Sequence, residues 1–152
     1  MKNEEGEKTI LIVTNDGNIL SDVAAIFEQN RYHVVTAKTE KKVLDKDDIT
    51  TYDLVLLDIT MPDINGAEFL AKLQKIRPDM IKILMTDYAN LECAVESLTK
   101  GAVWYFIKPL ESKKLFKVVA MLLQEQEAEK TNTINNRGID EKYIMRLSES
   151  FY

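Results

Sequence analysis

Five short runs rich in β-branched residues recur along this chain, separated by longer stretches of helical period, and no other feature narrows the accessible folds as far. The runs are "TILIVT" (9–14), "YHVVTA" (32–37), "YDLVLLD" (52–58), "IKILMT" (81–86) and "VWYFIK" (103–108). Between them, Ile19, Leu20, Val23, Ile26 and Phe27 mark one amphipathic helix, and Phe69, Leu70, Leu73 and Ile76 mark another that stops before Pro78. Leu91 to Leu98 form a further helical stretch, and Leu115, Val118, Val119, Leu122 and Leu123 line a last one that runs on into "QEQEAEK". The segment 40–48, "EKKVLDKDD", is the least periodic of the helical segments. Such alternation means βαβ units, and strands that are continuous apolar runs need helices over both faces of a parallel sheet. The expected fold class is α/β, a doubly wound five-stranded parallel sheet with helices on both faces.

The chain's 152 residues, 45% of them hydrophobic, are one domain's worth of material with an ample core. A net charge of -5 argues against nucleic acid as a partner of this domain, because phosphate contacts need clustered Lys and Arg. Cys93 is the single cysteine, so an intrachain disulfide and a multi-cysteine zinc site are both excluded, and a reducing cytoplasm fits. It reads as a structural thiol in an apolar-periodic stretch. The opening "MKNEEGEK" is charged, and no apolar run approaches the roughly 18 residues that span a bilayer, so neither export nor membrane embedding is expected.

The expected organisation is a tail over 1–8, the α/β domain over 9–128 and a linker over 129–138, where "TNTINNRG" is polar and turn-prone. In 139–152, Ile139, Tyr143, Leu147 and Phe151 stand at helical spacing. A helix this short is marginal alone in water, so it docks on the domain, pairs with another chain or begins a further module.

In an open α/β sheet the chemistry belongs at the carboxyl ends of the strands. Strand one ends in Thr14, Asn15 and Asp16, strand three in Asp58, strand four in Thr86 and Asp87, and strand five in Lys108 followed by Pro109. Each residue alone has a plain structural reading, as a turn, a helix cap or a surface cation. Together they bring a carboxylate, a hydroxyl and an ammonium to one rim. That set suits reversible phosphorylation of a carboxylate, in which Asp is the nucleophile and Lys and a hydroxyl offer donors to the phosphoryl oxygens. A divalent cation normally offsets the repulsion between carboxylate and phosphoryl group, and Mg²⁺ takes a few hard oxygens while keeping several waters.

Over roughly residues 8–128 the chain resembles the receiver domains of two-component response regulators. The resemblance is carried by "LVLLDITMPDINGAEFL", by "ILMT" and by "YFIKPL". It implies the strand order 2-1-3-4-5, Asp58 as phosphoacceptor, Thr86 as the hydroxyl that moves toward the phosphoryl group, and Lys108 as the cation before a cis proline bond. Tyr105 matches the aromatic whose rotamer reports activation, and the Thr60 carbonyl matches a backbone metal ligand. The implied partner is a histidine kinase or phosphotransfer protein, and the resemblance leaves open a homodimer through the last receiver helices or the C-terminal helix.

Strand one departs from that pattern. Receivers usually end it with two adjacent acidic residues, and here Thr14 and Asn15 take those positions. Losing a carboxylate beside a dication costs about 1 to 4 kcal/mol at an effective dielectric of about 20, so the expected Mg²⁺ site is a weakened one. Its expected ligands are Asp16, Asn15, Asp58 and the Thr60 carbonyl, with Asp16 the replacement acid. Asp87 stands where a small residue is usual and reads as a solvated helix-start acid, while Thr60 and Tyr88 occupy positions that tune phosphoryl lifetime.

The leading function is a phosphorylation switch: charge added at Asp58 draws Thr86 inward and repacks the face around Tyr105 and the last helix. The alternative is a pseudo-receiver, a constitutive interaction module without metal or phosphate, which Thr14 and Asn15 favour. A third reading, an aspartyl phosphatase of the haloacid dehalogenase kind, conflicts with a nucleophile on strand three rather than strand one. A flavin-binding reading lacks the Ser, Thr and Gly-rich loop after strand one. His33 and Trp104 read as surface and packing residues.

Overall fold

Alternate residues of a strand point to opposite faces, so an apolar strand with no polar alternation must feed two cores at once. The computed structural model, which describes residues 7–44, 51–59, 66–87 and 101–132, is built in this way. Its strands are β1 (Thr9–Val13), β2 (His33–Ala37), β3 (Leu54–Asp58), β4 (Ile81–Thr86) and β5 (Trp104–Ile107), all parallel in the order β2-β1-β3-β4-β5. Its helices are α1 (Gly17–Gln29), α2 (Glu40–Leu44), α3 (Gly66–Ile76) and α4 (Ser112–Asn132). The doubly wound sheet and its strand order agree with expectation. The expected helix over 91–98, together with Cys93, Thr60, Tyr88 and the segment 139–152, lies outside the described residues.

Ile10, Ile12, Leu54, Leu56, Ile83, Met85, Trp104 and Phe106 pack with α1 and α4, while Leu11, Val13, Val55, Leu57, Leu84 and Tyr105 pack with Phe69, Leu70 and Leu73 of α3. Each strand thus divides between the two layers, which fixes its register, because a one-residue slip would exchange the faces. Phe27 of α1 anchors one layer, meeting Tyr32 edge-on at 5.8 Å and Phe116 at 6.2 Å between ring centroids. The chain passes close behind the end of β3: a Cβ at Gly66 would lie 2.6 Å from Ile59 Cγ2. Only glycine lets α3 start there.

Helix α4 continues to Asn132, past the boundary at 128 where the sequence suggests a linker. Glu, Gln, Ala and Lys are strong helix formers, and tertiary contacts hold the turn that leads up to that boundary. Gln126 Nε2 donates to the Asp79 carbonyl at 3.1 Å, and Glu127 pairs with Lys8.

Lys82, the second residue of β4, is fully buried against the turn that follows α3. Its Nζ donates to the carbonyls of Arg77 and Met80, each at 2.7 Å, in that turn. Burial lowers its pKa to about 8, opposed by the charge of Asp79 and assisted by that of Arg77. The unfolded chain keeps this proton up to about 10.5, so between those values the unfolded state binds more protons and stability rises with pH. Unfolding free energy is therefore expected to gain up to about 3 kcal/mol from this one group between neutral pH and pH 10.5. Urea titrations of the wild type and Lys82→Met across that range check it; parallel curves for the two proteins would contradict it.

Candidate functional site

Neighbouring parallel strands deliver residues to a common edge. Val13 of β1 stands opposite Leu57 of β3, so the next residues, Thr14 and Asp58, meet side by side at the carboxyl end of the sheet. Thr14 is fully buried and its Oγ1 donates to Asp58 Oδ2 at 2.7 Å, while accepting from the Asp16 N–H at 3.1 Å. Asp58 is itself buried, and Lys108 Nζ donates to the same Oδ2 at 2.7 Å. The Lys108 N–H bonds the Thr86 carbonyl at 2.7 Å, and the Lys108–Pro109 bond is cis. Thr86, also buried, ends β4 one residue beyond Met85, the partner of Asp58 in the ladder. Tyr105 is buried within the α3-side core, opposite Leu84.

The structure therefore gathers Asp58, Lys108, Thr86 and Thr14 at one rim. Asp16 does other work: its Oδ1 accepts from the N–H groups of Asn18 at 2.9 Å and Ile19 at 3.3 Å, which makes it the N-cap of α1. Asn15 and Asp87 are exposed. Replacing Asp16 with Ala removes that cap, and thermal or urea unfolding is expected to show a loss of about 1 kcal/mol. An unchanged midpoint would show that the cap contributes nothing.

The donor set does not suit a tightly held dication. Among the described residues no group of three or more His, Cys, Asp or Glu side chains converges as a metal site. Thr14 presents a hydroxyl whose proton is directed at Asp58, where a cation pocket needs a second anionic oxygen. Asp58 is the one carboxylate of the gathered set, and Oδ2 already takes an ammonium and a hydroxyl.

A model of the response regulator receiver domain matches residues 10–120. The chain belongs to the response regulator receiver domain family. Among proteins similar to this receiver, the transcriptional regulatory protein ZraR of Klebsiella oxytoca is 35% identical over 106 residues, covering 70% of this chain and 24% of that protein. The regulatory protein AtoC of Escherichia coli (strain K12) is 33% identical over 121 residues, 80% of this chain and 26% of its own length. The receiver thus spans about a quarter of these relatives. Among solved structures, a CheY-like receiver domain protein from Methanospirillum hungatei JF-1 superposes with a TM-score of 0.76 at 41% identity, covering 82% of this chain and 99% of that one. The beryllofluoride-activated NtrC4 receiver domain dimer gives 0.72 at 28% identity, covering 78% of this chain and 98% of that one.

Receivers are signalling domains that engage histidine kinases or phosphotransfer proteins, often dimerise and typically use Mg²⁺. Family membership leaves the phosphatase and flavin readings without support. Thr14, which in the sequence stands only for a missing acid, is a member of the site. Its signal was the adjacency of β1 and β3, which puts the residue after Val13 beside Asp58.

Proposed function

We propose that this receiver accepts a phosphoryl group on Asp58 from the phosphohistidine of a histidine kinase or phosphotransfer protein, and that the added charge switches a protein interaction or a linked output. The observation that carries this reading is the buried Asp58–Lys108 pair at the carboxyl edge of the sheet, with the Thr86 strand end bonded to the Lys108 backbone. A carboxylate oxygen of Asp58 forms the new O–P bond as the P–N bond to the donor imidazole breaks, and the imidazole leaves with a proton. Lys108 neutralises charge on the incoming group, and the Thr86 hydroxyl turns to a phosphoryl oxygen. Moving Thr86 frees space at the end of β4, and Tyr105, two strand positions before Ile107, repacks in answer.

The domain assists only its own phosphorylation and dephosphorylation. The sequence suggests a weakened Mg²⁺ site on Asp58, Asn15, Asp16 and the Thr60 carbonyl, but with Asp16 capping α1 the donor set does not favour it, and no step of the phosphoryl transfer passes through it. No described helix is long and apolar enough to cross a membrane, and a cytoplasmic location beside the kinase suits the reading. A second copy meeting the last helices is the dimer contact the reading allows.

Beryllofluoride, a phosphoryl analogue, tests the switch. Saturable amide shifts at Asp58, Thr86 and Lys108, absent from Asp58→Asn, are the expected result. A wild-type spectrum that does not respond, with and without magnesium, would favour the constitutive module instead.

A further inference from the structure

The end of β1 replaces negative charge with a donor, and the consequence reaches beyond a missing ligand. Thr14 Oγ1 lies 2.7 Å from Asp58 Oδ2, giving its proton to the carboxylate while accepting the Asp16 N–H. Lys108 Nζ meets the same oxygen at 2.7 Å. The buried Asp58–Lys108 pair is formally neutral, with Thr14 adding a hydrogen bond and no charge. A further carboxylate at position 14 would leave the cluster anionic and would draw a cation. With threonine there, a dication meets one carboxylate of the gathered set, whose Oδ2 already holds both donors, and must bind against the Lys108 charge.

We infer that Thr14 and Lys108 take over at Asp58 the charge-balancing and positioning role of a divalent cation, so that the resting pocket is held closed without metal and gains a cation site only when carboxylates return to the end of β1. Thr14 is in this account a positioning residue: it fixes the orientation of Asp58 through a bond that a metal ligand at this position could not donate. The inference concerns the resting site and stands whether or not Asp58 is phosphorylated.

Mn²⁺ titration of the isotope-labelled full chain tests it, with paramagnetic broadening of amides at Val13–Asp16, Asp58, Ile59 and Lys108 as the readout. The wild type is expected to show no selective, saturable broadening there at millimolar Mn²⁺. Thr14→Asp, alone and with Asn15→Asp, is expected to bind about ten- to a thousand-fold tighter per restored carboxylate. Thr14→Val, which deletes the hydroxyl at nearly constant volume, separates the two donors' roles. It should leave metal affinity low while the Asp58 and Lys108 amides shift, because the carboxylate loses its second donor. Selective broadening of the wild type at low millimolar Mn²⁺ would overturn the inference, as would a folded Thr14→Asp protein no tighter than wild type. Thr14→Val amides at Asp58 and Lys108 that match the wild type would overturn the positioning role. Should added carboxylates prevent folding, the wild-type and Thr14→Val titrations still decide.

Discussion

Replacing Lys108 with Met is expected to lower the unfolding free energy by about 3 kcal/mol, because it leaves Asp58 buried without its counter-charge. Removing one member of a buried pair costs about 3 to 5 kcal/mol in general, and the low end applies here. The Lys108 side chain is 15% exposed against 2% for Asp58, so water reaches the lysine end, and Thr14 still donates to the carboxylate. Adding Asp58→Asn to Lys108→Met removes the orphaned charge, and most of the lost stability should return. Urea unfolding of the four proteins in this cycle isolates the pair's coupling energy. A Lys108→Met loss below about 1 kcal/mol, with no recovery in the double variant, would mean that the pair is solvated and not a buried unit.

Phe27→Ala is expected to cost about 3 to 5 kcal/mol, the usual range for deleting a fully buried aromatic side chain. Phe27 is 0% exposed and joins three elements: its own helix α1, Tyr32 before β2 and Phe116 of α4. Its carbonyl also accepts the N–H groups of Asn30 and Tyr32, so the cavity opens beside the turn that leads into β2. Phe116, only partly buried, should cost less when cut to Ala, since part of its surface already faces water. Equal losses for the two variants, measured by urea titration, would contradict the picture of Phe27 as the centre of that layer.

Most of the architecture was legible because strand-forming residues and helical period are local properties. "IKILMT" became β4 without a change of bounds, whereas "YDLVLLD" lost its first two residues and became Leu54–Asp58. Strand ends depend on which neighbour supplies the ladder bonds, and that is settled by the sheet. The site divided along the same line. Asp58 and Lys108 could be found as strand-end residues of the right chemistry, and the structure joins them by a 2.7 Å bond.

At Thr14, residue type reports a missing carboxylate but not the partner of the hydroxyl, which the sheet supplies as Asp58. Asp16 looked like a spare acid, although an Asp immediately before a helix that opens with Gly17 and Asn18 is also an N-cap signal, and the cap is what forms. Lys82 carries no chemical pattern in the sequence that marks it as buried, although both of its partners lie within five residues of it. Its ammonium is met by two backbone carbonyls of the turn between α3 and β4.

The central claim is that Asp58 takes the phosphoryl group, and intact-mass measurement after incubation with phosphoramidate, a small phosphohistidine-like donor, tests it most directly. The account predicts one added phosphoryl group per chain, labile to hydroxylamine as an acyl phosphate must be. It should be absent from Asp58→Asn and slowed at least about ten-fold in Lys108→Met, which has lost a charged donor to the transferring group. A wild-type mass that does not change, or a modification that survives in Asp58→Asn, would contradict it.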